Sequence, residues 1–423
     1  MRRKSNAALC VAHGRVARFG VQETIVETDG EGWLTTSGPL GPNPMVNTAF
    51  DLLDVATTVY AIERQLPPRS ASNPNIHWDL TMPVREPDLW NGKPRELLQD
   101  ILGFLGNTEW NIRFVQGSRK HIVLPAPGDQ ARPIRRIALL SGGLDSASGL
   151  GSNFTAAYET QLCSYYTKQK TLQRTLAETL EFGPPTQWRH KGRAGRGRSF
   201  YYRSFFFLSL AAAVAHTWQA SEILQFENGI LAGSIPPVPS VSMTKHAHPK
   251  LHDLFAQLLK SVFMSDWIVT NPLWTMTKRQ AVDALIRNVG KERANEITPI
   301  TESCWNLAAP HAFGVSKLGR FEKKVNLQCG VCIPCIIRRS ALPGEEYAFD
   351  LRVDKVRNHP QLGAFFLEYL ELVSAIRSSV NTAEFRRALP AEGLDLIDGD
   401  WTTLSALEQL WRTFSDEFHE TFL

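Results

Sequence analysis

Two clusters in this chain have residue types and spacings suited to chemistry. The first is Ser141-Gly142-Gly143-Leu144-Asp145-Ser146. It follows Ile134-Arg135-Arg136-Ile137-Ala138-Leu139-Leu140, an apolar run with the length and flanks of a buried parallel strand, and precedes Ala147-Ser148-Gly149-Leu150, small residues able to open a helix. In such a strand–turn–helix unit, glycines let backbone N–H groups converge on an anion. Serine hydroxyls add donors, and the helix terminus adds partial positive charge. The stretch predicts a phosphate-binding turn, although the Gly-Lys-Ser/Thr ending of a Walker loop is missing. The second cluster is Cys329-Gly330-Val331-Cys332-Ile333-Pro334-Cys335, two overlapping C-x-x-C steps. That spacing lets thiolates from one tight knuckle reach a single tetrahedral Zn²⁺ at roughly 2.3 Å each. Cys304 is the natural fourth ligand, and a closed four-sulfur shell predicts a structural zinc rather than a catalytic one. Disulfides or a redox C-x-x-C are the competing readings. Cys10 and Cys163 stand alone and read as ordinary thiols.

The elements that must position these clusters read in three parts. Residues 1–130 form an α+β region, with β-type runs such as Val21 to Thr28 and a helix over Val46 to Gln65, where apolar residues recur at helical spacing. A second helix runs from Glu96 to Leu105, with Gly106-Asn107 as its stop. Pro125, Pro127, Gly128 and Pro133 mark a linker. An α/β domain with a parallel sheet spans 134–340. Phe205 to Trp218 is apolar nearly all round and predicts a buried helix. Ile223-Leu224-Gln225-Phe226 reads as a strand ending at Glu227-Asn228-Gly229, which places these residues where the 141–146 turn also points. The segment 345–423 reads as helical. There are no internal repeats.

Two further stretches could touch a ligand. Between Gln187 and Ser204 lie Arg189, Lys191, Arg193, Arg196, Arg198 and Arg203, with three glycines and no acid. This is a basic lid over phosphates, a nucleic-acid patch or simply a solvated loop; Arg203, next to the buried helix, is the best candidate contact. The stretch Met243-Thr244-Lys245-His246-Ala247-His248-Pro249 reads as a polar loop contacting substrate, with Lys245 its candidate residue. The histidines lack a nearby acidic partner in sequence for a second metal.

The chain has 423 residues, 43% hydrophobic and 21% charged, as in an ordinary globular protein. No apolar run approaches the roughly 18 residues of a membrane span. His13, Arg15 and Arg18 interrupt any signal-peptide core, so a reducing cytoplasm is the expected compartment. A net charge of +4 is too mild to imply nucleic acid.

The hexapeptide 141–146 resembles the pyrophosphate loop of the N-type ATP pyrophosphatases. Together with the cysteines it is similar to the 7-cyano-7-deazaguanine synthase (QueC)-like family. That family places Ser-Cys-Trp/Tyr before C-G-x-C-x-x-C-x-x-R, answered here by Ser303-Cys304-Trp305 and by Cys329 through Cys335 with Arg338 or Arg339. Its Asn/Thr-Pro-Leu segment followed by Thr-Lys is matched by Asn271-Pro272-Leu273 and Thr277-Lys278, and Tyr165-Tyr166-Thr167-Lys168-Gln169-Lys170 looks like a drifted Tyr-Gly-Gln-Arg element. The resemblance covers about residues 134–340. The family's Asp-x-Ser-Gly-Tyr-Pro-Asp-Cys-Arg segment is replaced by Phe226-Glu227-Asn228-Gly229-Ile230 and a proline-rich loop over 235–240. With its long N-terminal region, the chain looks like the long subfamily of antiphage operons, such as QatC and the QueC-like partner of type IV CBASS systems.

The resemblance implies an adenine-nucleotide alpha-hydrolase-like (PP-loop) fold and an ATP-dependent ligase. ATP and Mg²⁺ would sit with the triphosphate on 141–146, with Asp145 on the metal or the phosphates. A 7-carboxy-7-deazaguanine-type acid would be adenylated with release of pyrophosphate, Lys278 and Arg203 stabilising phosphate charge. An amine, either ammonia or a protein amine on an operon partner, would then displace AMP. Glu227, Asn228, Gly229 and Lys245 are the expected substrate contacts. A tRNA- or nucleobase-modifying PP-loop enzyme and a non-catalytic nucleotide- and zinc-binding module are the alternatives, and a homodimer stays open.

Overall fold

A computed structural model describes residues 6–12, 15–19, 25–27, 34–65, 77–117, 122–124, 133–165, 170–190, 201–236, 244–305, 327–351, 354–359 and 362–423. The linker at 125–132, the tip of the basic loop at 191–200, the proline-rich 237–243, residues 166–169 and 20–24 lie outside the described residues. Among the described residues the strands are β1 (Asn6–Ala12), β2 (Arg15–Phe19), β3 (Ile25–Glu27), β4 (Leu34–Ser37), β5 (His77–Val84), β6 (Glu109–Gln116), β7 (Ile122–Val123), β8 (Arg136–Leu139), β9 (Thr160–Tyr165), β10 (Thr186–His190), β11 (Glu222–Leu224) and β12 (Ile268–Thr270).

The chain is a mixed α/β protein whose central sheet is mostly parallel. Its order is β12-β11-β8-β9-β10-β4-β7. From β12 to β10 every neighbouring pair is parallel, and β4 joins β10 antiparallel. Chain order reverses beside β8: the path runs outward through β9 and β10, then returns to lay β11 on the other side. That makes the β8/β11 boundary a topological switch point, where loops leaving adjacent strands diverge and open a crevice.

Period-two alternation explains why both faces are covered. Ile137, Cys163 and Ile223 face one core; their neighbours Ala138, Leu162 and Leu224 face another. The first core holds the helix Arg203–Trp218, apolar nearly all round as its sequence predicts, and the helix Pro249–Phe263. The second holds the helices Leu144–Gly151 and Lys278–Val289.

Residues preceding 130 share the first core. β3-β2-β1-β5-β6 form a second sheet, antiparallel through β1–β3 and parallel from β1 to β6. The expected helix over 46–65 is Asn47–Gln65, packed against Arg203–Trp218. Its burial includes Asp51 and Asp54, because Arg85 Nη1 reaches both carboxylates, at 2.9 and 2.8 Å, and the Arg85 and Glu86 amides donate to Asp51. The second expected helix, Lys93–Gly106, ends where Asn107 turns left-handed at φ 47°.

The C-terminal part is helical, with Leu362–Ser378, Thr382–Ala388, Ala391–Asp398 and Leu404–Phe422. These helices share a third core with the cysteine knuckle.

Gly149 lets the helix after the 141–146 turn approach the end of β11. A Cβ there would lie 2.1 Å from Phe226 Cδ1. Gly→Ala in a helix normally stabilises by about 0.5–1 kcal/mol; overpacking costs about 1–3 kcal/mol and decides the sign here. Gly149→Ala is therefore expected to lower the midpoint of denaturant unfolding, and an unchanged or raised midpoint would contradict this packing.

Candidate active site and metal centre

The turn 141–146 leaves β8 at the switch point. Gly142 has φ +90°, a backbone conformation that glycine adopts without strain. Gly143 caps the following helix, and its amide donates to Ser141 Oγ at 3.1 Å. Ser146 Oγ donates to the Gly143 carbonyl at 2.9 Å and lies 3.1 Å from Ser141 Oγ. Leu144 is buried beneath, and Ser141 faces solvent at the mouth.

Asp145, in the first turn of this helix, is buried and ion-paired to Lys278 Nζ. Asn228 Nδ2 approaches its two oxygens at 3.4 and 3.3 Å and donates to Glu227 Oε1 at 3.0 Å. The amide points this way because Asn228 caps the short helix Gly229–Ala232, its Oδ1 accepting from Leu231 N. Asp145, Glu227, Asn228 and Lys278, expected from the sequence, are therefore brought together. Gly229 follows directly, its amide donating to the Met276 carbonyl at 2.8 Å.

The Asn271–Lys278 segment braces this arrangement. Asn271 Oδ1 accepts from the Glu227 amide at 3.2 Å, while Asn271 Nδ2 donates back to the Glu227 carbonyl at 2.6 Å. Thr277 and Gln280 form a capping box that starts the helix at Lys278, aiming the ammonium inward. Thr277 Oγ1 also donates to Glu417 Oε1 at 2.7 Å, tying the C-terminal helix to the site.

Burial raises Asp145 to about 7; Lys278 opposes that shift and the nearby Glu227 charge adds to it. Burial also pushes Glu227 upward, but the hydrogen bond and charge of His246, with Lys278, outweigh it and lower Glu227 to about 2. Two adjacent carboxylates are thus held in different protonation tendencies by their surroundings.

Arg203 opens its helix facing Tyr60, Glu63 and Glu227; burial lowers its pKa and these three groups oppose the shift. Lys245 is not in the cluster. Its Nζ donates to the Phe104 carbonyl and to Asn107 Oδ1, both at 3.1 Å, closing the end of the helix Lys93–Gly106. The next residue takes the place expected of it: His246 Nε2 lies 2.8 Å from Glu227 Oε2. The missing acidic partner of the histidine loop is Glu227, distant in sequence and therefore not visible as a local motif. His248 instead caps the helix Pro249–Phe263, its Nδ1 accepting from Lys250 N at 3.1 Å.

The sulfurs of Cys304, Cys329, Cys332 and Cys335 are buried and all lie within 4.8 Å of one another. Cys329 and Cys335 sulfurs are 3.8 Å apart. A tetrahedral Zn²⁺ with bonds of about 2.3 Å requires sulfur separations of about 3.8 Å, so the donor set fits this ion. Backbone amides of Cys329 and Val331 point at Cys304 and Cys329 sulfurs at 3.4 Å each, the partners that thiolates accept. Of the two candidate arginines, Arg338 is fully buried and binds Glu345 with both forks, at 2.7 and 2.6 Å. Its remaining donors reach Thr301 Oγ1 and the Thr298 carbonyl, fastening the knuckle helix Ile333–Ala341 to the Cys304 segment. Cys163 is buried in β9, where burial pushes its thiol up; the side chain of Cys10 lies outside the described residues.

No protein-family profile matches the chain, and no curated protein matches it. No helix among the described residues is long and apolar enough to cross a membrane.

Two outcomes follow from this geometry. The purified chain is expected to carry about one zinc by elemental analysis, and Cys332→Ser to lose it with a lowered melting temperature; full metal content in that variant would contradict a four-sulfur site. Glu417 is pushed up to about 7, chiefly by burial, which the Thr277 donor and Arg279 only partly offset. Its Oε2 has no hydrogen-bond partner. A carboxyl with a raised folded pKa stabilises most below its ordinary value of 4.5 and loses that contribution as pH rises through 7. Glu417→Gln is expected to be more stable than the parent at pH 8, by on the order of 1–3 kcal/mol, with the difference vanishing near pH 5. Parallel stability–pH curves in urea would contradict this.

Proposed function

We propose that the chain is an ATP-dependent carbon–nitrogen ligase of the QueC-like, PP-loop kind. The observation that carries the proposal is the meeting of Asp145, Glu227, Asn228 and Lys278 beside the 141–146 turn, at the switch point of a parallel sheet. Catalysis at such a site is positioning and charge neutralisation, and these residues supply both.

In this reading the ATP triphosphate lies on the 141–146 turn, and the carboxylate of a 7-carboxy-7-deazaguanine-type acid attacks the α-phosphorus. Pyrophosphate leaves, and Lys278 and Arg203 neutralise the charge that spreads over the phosphate oxygens. Asp145 is the carboxylate that would hold Mg²⁺ or orient the phosphates. Its fit rests on burial and the neighbouring Glu227 charge, which disfavour a bare carboxylate there, and on the long Asn228 contacts to its two oxygens, at 3.4 and 3.3 Å. The ion would neutralise the triphosphate. The zinc would be structural, its four positions filled by sulfur. The resulting acyl-adenylate is then taken by an amine, ammonia or an amine of an operon partner protein, with AMP leaving. The defence setting, like the choice of acid, rests on the family resemblance of the turn, the Asn271–Lys278 segment and the cysteine knuckle.

The test is to incubate the full chain with ATP, Mg²⁺, 7-carboxy-7-deazaguanine and ammonium, and to follow AMP and pyrophosphate. Acid-dependent release of both is expected, with Asp145→Asn and Lys278→Met each reducing the rate by about 10²–10³-fold. Tight ATP binding without pyrophosphate release would instead favour a non-catalytic nucleotide-binding module.

A further inference from the structure

Resting on that reading, we propose that His246 is the general base of the second half-reaction, taking the proton that the attacking amine must lose, with Glu227 as the residue that positions it. The geometry supporting this is the set of partners around the imidazole. Nε2 lies 2.8 Å from Glu227 Oε2, an acceptor when ionised. Nδ1 lies 3.0 Å from Thr244 Oγ1, which can donate, and 3.0 Å from the Thr244 carbonyl, which can only accept.

This arrangement satisfies both protonation states of one ring. Neutral His246 donates through Nε2–H to Glu227 and accepts at Nδ1 from the Thr244 hydroxyl. Protonated His246 keeps the first bond and turns Nδ1–H onto the Thr244 carbonyl. Neither state leaves a ring nitrogen unpaired, so a proton can arrive and leave at Nδ1 without the cost of an unsatisfied polar group. A purely structural histidine needs partners for one state only. His248 and His252 show that contrast: His248 accepts one backbone hydrogen bond, His252 pairs with Gln225 Oε1 at 3.0 Å, and burial lowers both to about 3, favouring the neutral ring.

The dyad is joined to the adenylation residues. Glu227 Oε1 accepts from Asn228, whose amide also reaches Asp145, itself paired with Lys278. The charged and titratable groups that face the dyad are Asp145, Arg203, His252 and Lys278. His246 and Thr244 are both half-buried.

The chemistry balances without another reactant. The nitrogen of a neutral amine forms a bond to the acyl carbon and gives one proton to His246 Nδ1, directly or through the Thr244 hydroxyl. The acyl C–O bond breaks, and its electron pair leaves on AMP. The proton then passes from His246 to solvent.

The two half-reactions separate the proposal from the reading beneath it. Acid-dependent exchange of labelled pyrophosphate into ATP, with 7-carboxy-7-deazaguanine, measures adenylation alone; amide formation with ammonium measures the sum. For His246→Gln, the ratio of amide formation to exchange is expected to fall by about 10²-fold or more, the scale of general base catalysis. The dependence of kcat/KM for the amine on the protonation of an imidazole is expected to disappear in the same variant. An unchanged ratio with an unchanged pH profile overturns the role of His246 while leaving adenylation standing. Absence of exchange by the unaltered protein overturns the adenylation reading and this inference with it. Glu227→Gln keeps the carbonyl acceptor for Nε2–H but removes the charge, and is expected to shift the amine pH profile toward lower pH; an unmoved profile would deny Glu227 its positioning role.

Discussion

A carboxylate buried in the first turn of a helix is the constraint on which this molecule is organised. Asp145 cannot be held there without compensation, since an uncompensated buried charge costs several kcal/mol. Lys278 provides that compensation from a different helix, and Asn228 from a third element. Each partner needs its own support: a capping box aims Lys278, and helix capping orients Asn228. The requirement of one side chain thus fixes the mutual placement of the ends of β8 and β11 and the segment after β12. A ligand phosphate or cation entering this crevice would meet charges already paired and held, which need little reorganisation on binding.

The cysteine centre serves the same turn from behind. The Glu302 amide donates to the Gly142 carbonyl at 3.0 Å, two residues before Cys304. Gln328 accepts from the Ser303 amide and donates to the Thr301 carbonyl, lashing that segment to the residue before Cys329. With Arg338 gripping Thr301 and Glu345, the knuckle, the segment 298–304 and the turn form one connected block. A metal in the four-sulfur site would stiffen this block without touching substrate, which is the physical meaning of a structural ion here.

What was readable in the sequence was local. The alternation of Ile137 with Ala138, the small residues after Gly143 and the C-x-x-C steps all encode structure within a few positions, and the strand, turn and knuckle stand where they point. Glu227 and Asn228 were readable too, because an apolar strand ending in polar residues must present them at the sheet's C-terminal edge. Lys245 shows the limit. Its charge suggested a ligand, but charge alone does not distinguish an anion from the bare carbonyls of a helix end. His246 was passed over because its carboxylate partner is far along the chain, and pairings of that kind are set by packing rather than by spacing. The all-round burial of residues 51–63 was likewise hidden, since Asp51 and Asp54 read as a polar face until Arg85 is placed between them.

The N-terminal region enters the site from two sides, which gives its long sequence a physical purpose. Glu63 accepts the backbone N–H groups of Tyr201 and Tyr202, capping the start of the helix that carries Arg203. Tyr60, stacked on Phe206 with centroids 4.5 Å apart, holds the same helix from above. On the opposite side, the end of Lys93–Gly106 captures Lys245 and so restrains the loop that presents His246. Arg203 and His246 both flank Glu227 without belonging to the turn or to the Asn271–Lys278 brace. Both are placed by contacts with residues before 110. Residues before 110 therefore act on the side chains flanking Glu227, which in the proposed ligase reaction is the side of the crevice where the amine would be taken.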